Sequence, residues 1–215
     1  GSEPHQIVTG DILKAEDRAE MLNRAFTSSS VSILINNAGV SSFNDFSHVS
    51  AEQINQVLNT NLVATIQLTY DFLKIKHFSK ATVVNVGSTL GAIGFPGYSL
   101  YCASKFGLRG FTESLTRELV NNDVRVCYLA PRATDTKINS DNVLAMNKAM
   151  GSKVDPPEKV AEALISLLEG KGNRKSVGWP EKLFARINGL FPELVDSSFK
   201  KSLTTILKFT QGEQS

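Results

Sequence analysis

Tyr101 and Lys105 are spaced i, i+4, so on a helix they share one face. A free phenol, with a pKa of about 10, is a poor acid or base at neutral pH. An ammonium held beside it favours the phenolate and brings the pKa toward the working range of a general acid/base. Upstream, Ser88 closes the apolar run Val83-Val84-Asn85-Val86-Gly87. A hydroxyl at a strand end can donate to an oxygen on which charge develops. A further group, Asn36-Asn37-Ala38-Gly39, follows another apolar run. Each motif alone is unspecific: Tyr-x-x-x-Lys recurs in many helices, Ser88 would serve as a cap, and Asn-Asn-Ala-Gly would serve as a turn. Their order and spacing together carry the specificity.

The elements that must position these groups alternate. Short, mostly continuous apolar runs at residues 6–9, 31–35, 81–86 and 124–129, with a weaker one at 176–179, predict parallel strands covered on both faces. Between them, Ala15, Ala19, Leu22 and Phe26 form one helical stripe. Leu108, Phe111, Leu115 and Leu119 form another, and Val160, Leu164 and Leu167 a third. Pro156 and Pro157 stand at the start of that third helix, where a missing N–H costs little. The alternation predicts an α/β, doubly wound, Rossmann-like parallel sheet. Residues 1–178 read as one domain and 179–215 as its helical extension, two amphipathic helices interrupted near Pro192. The extension is expected to pack on the body or on a sister subunit. Membrane-surface binding is the sharper alternative, since Lys200, Lys201 and Lys208 flank its apolar face.

Composition bounds the function. With 215 residues, 41% hydrophobic and 20% charged, the chain is long enough for a substantial core and is neither disordered nor a coiled coil. A net charge of +2 with no basic block argues against a nucleic-acid partner. No apolar run approaches the roughly 20 residues of a membrane span. Cys102 and Cys127 are too few for a disulfide framework or a metal site and suggest a reducing, cytoplasmic compartment.

Read together, Asn36 to Gly39, Asn61 in Leu58-Asn59-Thr60-Asn61-Leu62, Val84 to Ser88, Tyr101-Cys102-Ala103-Ser104-Lys105 and Pro131-Arg132-Ala133-Thr134-Asp135-Thr136 resemble the short-chain dehydrogenase/reductase family. The resemblance spans residues 6–170. It implies reversible hydride transfer between NAD(P)(H), with a slight preference for NADP(H), and an alcohol/carbonyl pair. Tyr101 matches the acid/base, Lys105 its partner and a ribose contact, and Ser88 the hydroxyl that orients the substrate carbonyl. Asn61 matches the helix-interrupting asparagine of a proton relay. Asp11, with Ile12, matches the adenine-contacting position. Asn37, Ala38 and Gly39 match the stretch beside the adenosine, and Pro131, Thr134 and Thr136 belong to the segment facing the nicotinamide amide and pyrophosphate.

Two departures from the pattern stand out. Arg132 replaces a usual glycine: its side chain would be strained at positive φ, would place a guanidinium near the cofactor phosphate or substrate mouth, or would be a plain surface arginine. The glycine-rich turn that lets pyrophosphate approach a helix N-terminus is also not in the sequence, which starts at what resembles the third strand. The expectation is therefore that residues preceding Gly1 belong to the protein. The competing reading is a non-catalytic scaffold or regulatory protein on a truncated dehydrogenase fold. Residues 134–150 resemble the family's substrate lid. Ile138, Val143, Leu144 and Met146, opposite Phe95, Pro96 and Tyr98, favour a small apolar or aromatic carbonyl/alcohol substrate. Apolar residues spread around the helix carrying Tyr101 require burial on two sides. The resemblance implies that one side meets the matching helix of a second subunit, in a homodimer or homotetramer built with the predicted long helix at 62–78. C-terminal helices folded back over that face would instead leave a monomer.

Overall fold

The computed structural model describes residues 5–28, 30–77 and 80–210. Four parallel strands, β1 (Ile33–Asn36), β2 (Ala81–Val86), β3 (Val124–Ala130) and β4 (Arg174–Ser176), lie in the order β1-β2-β3-β4. Alternation along the central strands divides the core. Val83, Val124 and Val126 face one layer, formed by α1 (Ala15–Ser28), α3 (Ala64–Ile75) and α4 (Ser99–Glu118), where Leu22, Phe72 and Leu73 meet them. Val84, Cys127 and Leu129 face the other layer, where Ala163 and Leu167 of α6 (Pro157–Glu169) cover them. Such double coverage produces the continuous apolar runs of the sequence.

Residues 6–9 form no strand; they run as irregular backbone ahead of α1. A strand needs a neighbour to take its N–H and C=O groups, and this stretch pairs with none of the sheet's strands. β1 is accordingly an edge, with Ile33 and Ile35 exposed. The expected helix over 62–78 is also divided. α2 (Ala51–Leu58), entered through a Ser50/Gln53 capping box, passes through a π-helical turn at Asn59–Val63 into α3, which ends at Ile75. Phe78 lies outside the described residues.

A break at Phe191 separates α7 (Glu181–Leu190) from α8 (Pro192–Thr210). The pair packs on the body: Phe199, Ile206 and Phe209 of α8 join Phe43, Tyr98, Cys102 and Met146 in one apolar cluster. Met146 belongs to α5 (Asp141–Ala149). Asn188 of α7 donates to the Ala92 carbonyl at 2.9 Å. These helices therefore leave the outer face of α3 and α4 open: Tyr70 is 57% and Phe106 42% exposed. No helix among the described residues is long and apolar enough to cross a membrane.

Candidate active site

A cleft of about 1300 Å³ opens at the C-terminal end of the strands, where parallel sheets place their ligands. Ser88 reaches it two residues beyond β2. There it is held by continued pairing, with Gly87 N–H donating to the Leu129 carbonyl at 2.7 Å and Thr89 N–H to the Pro131 carbonyl at 2.9 Å. Its Oγ accepts from Leu90 N–H at 3.1 Å and caps the 3-10 turn Thr89–Gly91. Beneath it lies Tyr128, whose hydroxyl is 3.4 Å from both the Ser88 N–H and its carbonyl. Gly87 is obligatory here: a Cβ on it would stand 2.1 Å from the Tyr128 ring. Burial pushes the Tyr128 phenol up to about 12, so it stays protonated as a support.

The first two turns of α4 supply Tyr101 and Lys105 on one face, as the spacing requires. Lys105 Nζ donates to the Val86 carbonyl at 3.0 Å and lies 5.6 Å from the centre of the Tyr101 ring. Burial lowers this ammonium to about 8. For Tyr101, burial is the largest influence and raises the phenol, while a hydrogen bond with Ser88 pulls it back. The expected lowering by Lys105 is thus not the governing effect. The ammonium lies over the ring and is bonded to the Val86 carbonyl, whereas the Ser88 hydroxyl acts on the phenol directly.

The third wall comes from β1. Asn36 Nδ2 donates to Asn85 Oδ1 at 2.8 Å and Thr69 Oγ1 at 2.9 Å, and Asn85 Nδ2 donates to Thr112 Oγ1 at 2.9 Å. This buried, mutually satisfied chain ties β1 and β2 to α3 and α4 and so sets Asn37–Gly39 against the helix bearing Tyr101. Behind them, Asn61 in the π turn accepts from Val40 N–H at 2.8 Å and donates to the Val40 carbonyl at 2.9 Å and to Ser104 at 3.1 Å. A side chain at Gly39 would meet Asn61 Oδ1 at 3.1 Å and sit 3.7 Å from Lys105 Nζ, so glycine keeps the backbone open to a ligand beside the ammonium.

Asn37, Ala38, Gly39, Ser88, Tyr101, Lys105, Pro131, Thr134 and Thr136 all line the cleft. Asn61 stands behind it as a staple. Asp11 and Ile12 do not reach it: the Asp11 carboxylate accepts from Leu13 N–H at 2.9 Å, Asp11 N–H donates to Asp17 at 2.7 Å, and the Ile12 carbonyl accepts from Arg18 at 2.8 Å. These bonds tie the turn to the first residues of α1.

Arg132 is neither strained nor a surface residue; it is only 9% exposed and has no positive φ. Its Nε donates to Asp155 Oδ2 at 2.8 Å and its Nη2 to Oδ1 at 2.6 Å, a bidentate pair, while Nη1 reaches Glu181 at 3.2 Å and the Trp179 carbonyl at 3.2 Å. The guanidinium is therefore committed to carboxylates and binds the loop after β3 to the starts of α6 and α7. Arg132 and then Lys159 hold the Asp155 carboxyl below the usual carboxylate range. Tyr128, Asp155 and Glu181 escaped the sequence reading because each acts through a partner distant in the chain.

The four-stranded parallel sheet with helices on both faces is a Rossmann-like fold. The sequence profile of the short chain dehydrogenase family matches residues 2–147. The chain belongs to the short-chain dehydrogenase family. It is 30% identical over 204 residues to the uncharacterized oxidoreductase YxnA of Bacillus subtilis, covering 90% of this chain and 57% of that protein. It is 36% identical over 142 residues to carbonyl reductase family member 4 of Xenopus laevis, covering 65% of this chain and 60% of that protein. The chain thus spans less than two thirds of the length of these curated relatives. A short chain dehydrogenase from Burkholderia cenocepacia, solved in complex with NADP, superposes with a TM-score of 0.76 at 22% identity, covering 89% of this chain and 79% of that one. A 4-hydroxyisoleucine dehydrogenase complexed with NADH and succinate gives 0.68 at 22% identity, covering 79% and 77%.

Proposed function

We propose that the protein is an NAD(P)-dependent oxidoreductase that interconverts an apolar carbonyl compound and its alcohol, with Tyr101 as the general acid/base. The observation that carries this reading is the convergence of Ser88, Tyr101 and Lys105 in one cleft, with Lys105 Nζ 5.6 Å from the centre of the phenol ring. The residues present suit the nicotinamide end of the cofactor: Gly39 leaves the cleft wall open beside Lys105, and Pro131, Thr134 and Thr136 supply the opposite wall. When bound, the nicotinamide supplies the hydride. The protein's own part is proton movement and positioning. Ser88 donates a hydrogen bond to the substrate oxygen. Tyr101, its pKa raised by burial, holds its proton at neutral pH and gives it to that oxygen as reduction proceeds. The Lys105 ammonium faces the tyrosinate that remains, and Asn61 fixes Val40 and Ser104 around them.

NADP(H) is slightly favoured over NAD(H), and since the solved relatives hold NADP in one case and NADH in the other, both belong in the assay. A panel of aliphatic and aromatic ketones, offered with NADH and NADPH to the full-length protein, tests the reading; no oxidation of either cofactor with any member would overturn it. The exposed Val63, Tyr70 and Phe106 on the outer face of the π turn, α3 and α4 support a homodimer, or a homotetramer containing it. Light scattering is expected to show at least twice the chain mass, and Phe106→Glu to reduce it; a monomeric parent protein would contradict this. Two buried free thiols support a reducing, cytoplasmic location.

A further inference from the structure

Beyond Tyr101, the cleft turns apolar. Phe95, Tyr98, Met146, Met150, Val195 and Phe199 form its wall between α5 and α8. One side chain breaks this pattern. Asn147 lies on the same face of α5 as Val143, Met146 and Met150, is 8% exposed and lines the cleft. Its backbone carbonyl accepts from Ser152 N–H at 2.8 Å, which fixes the end of the helix. Its side-chain amide, with two donor hydrogens and an acceptor oxygen, makes no hydrogen bond among the described residues. The amide tip is not sealed in the core but opens on the cleft, and asparagine is a weaker helix former than leucine, so an apolar residue would serve this helix face better unless the amide meets a ligand.

We infer that Asn147 is a specificity-determining residue, whose amide receives one uncharged hydrogen-bonding group, a hydroxyl or a second carbonyl, on an otherwise apolar substrate. The inference rests on the oxidoreductase reading above. An anionic group is a poorer fit. Among the cations lining the cleft, Lys105 is bonded to Val86 and Arg132 is held by Asp155 and Glu181, while Lys137 and Lys153 are exposed. The position also separates Asn147 from the cofactor side, because its flanking methionines join the cluster of Phe43, Tyr98 and Phe199 rather than the wall at Asn37–Gly39.

The test is reduction, by the full-length protein, of medium-chain 2-alkanones and of the same chains carrying one hydroxyl at successive carbons. The parent protein should prefer one hydroxylated isomer over the plain ketone. In Asn147→Leu, which keeps the branched side-chain skeleton and removes the amide, that preference in kcat/KM should fall about 10-fold or more. KM for NAD(P)H should not move, and Asn147→Ser should restore part of the preference. Should Asn147→Leu not fold, Asn147→Ser alone must show a partial loss. Preference kept within about 2-fold, a parent protein with no hydroxyl preference, or a change confined to KM for the cofactor would overturn the inference. A parent protein that reduces these ketones while Asn147→Leu behaves identically sinks this inference alone. One that reduces no ketone at all sinks the oxidoreductase reading and takes this inference with it.

Discussion

Replacing Lys105 by methionine separates the charge of this residue from its bulk, and the structure predicts a crossing of two stability curves. Lys105 is 5% exposed and, among the described residues, its one hydrogen bond is to the Val86 carbonyl. Burial lowers it from 10.5 to about 8, which corresponds to a desolvation cost of about 3 kcal/mol carried by the folded state. Below the folded value the lysine is charged in both states and the whole cost is present. As pH rises from about 8 toward 10.5, the folded lysine gives up its proton while the unfolded one keeps it, so stability rises across that window. Methionine removes the cost but leaves the Val86 carbonyl without its donor, a loss of about 1 kcal/mol. At neutral pH Lys105→Met should therefore be more stable by about 2 kcal/mol, and near the top of the window less stable by about 1 kcal/mol. Burial shifts Tyr101 and Cys102 as well, both upward, so the quantity to read is the difference between variant and parent in urea denaturation at matched pH. Parallel curves for the two proteins would refute the reasoning. The gain in stability should accompany a loss of cofactor affinity and turnover, since the same ammonium is expected to serve both.

Arg132→Met should cost about 3 kcal/mol at neutral pH, because it leaves the buried Asp155 with Lys159 as its sole cation. The Asp155 carboxyl is depressed when folded, so its contribution is present above the ordinary carboxylate range and is lost as pH falls; the variant should lose the larger share of that acid-dependent part, Lys159 keeping the rest. A loss below about 1 kcal/mol in chemical denaturation would contradict the buried pairing. Gly87→Ala must displace the Tyr128 ring, which a Cβ would approach to 2.1 Å. It should destabilise by about 1–3 kcal/mol and lower kcat by moving Ser88; unchanged melting and turnover would show that the support under Ser88 is dispensable.

The parts of the site that were legible in the sequence are those set by local spacing. Tyr101 and Lys105 need only a helix to share a face, and Ser88 needs only a strand that ends before it. The run at 6–9 has the composition of a strand, yet strand formation depends on a neighbour that composition cannot report, and Asp11 and Ile12 beside it are not among the residues lining the cleft. Arg132 was noticed as a departure, but its orientation is decided by Asp155 and Glu181, 23 and 49 residues away. Tyr128 looked like one more apolar position on a central strand until Gly87 came to lie against its ring. Asn147 carried no pattern of its own; only the methionines on either side, and the unspent amide between them, set it apart.

The most direct test of the proton-transfer assignment is Tyr101→Phe in the full-length protein. The ring contact with Tyr98 at 5.8 Å and the packing remain, and only the oxygen that would move the proton is removed. Turnover of a ketone that the parent protein reduces should fall by about 10²–10⁴-fold or more, with NAD(P)H binding, read by fluorescence titration, close to unchanged. A near-normal kcat in this variant would contradict the assignment of Tyr101 and with it the mechanism.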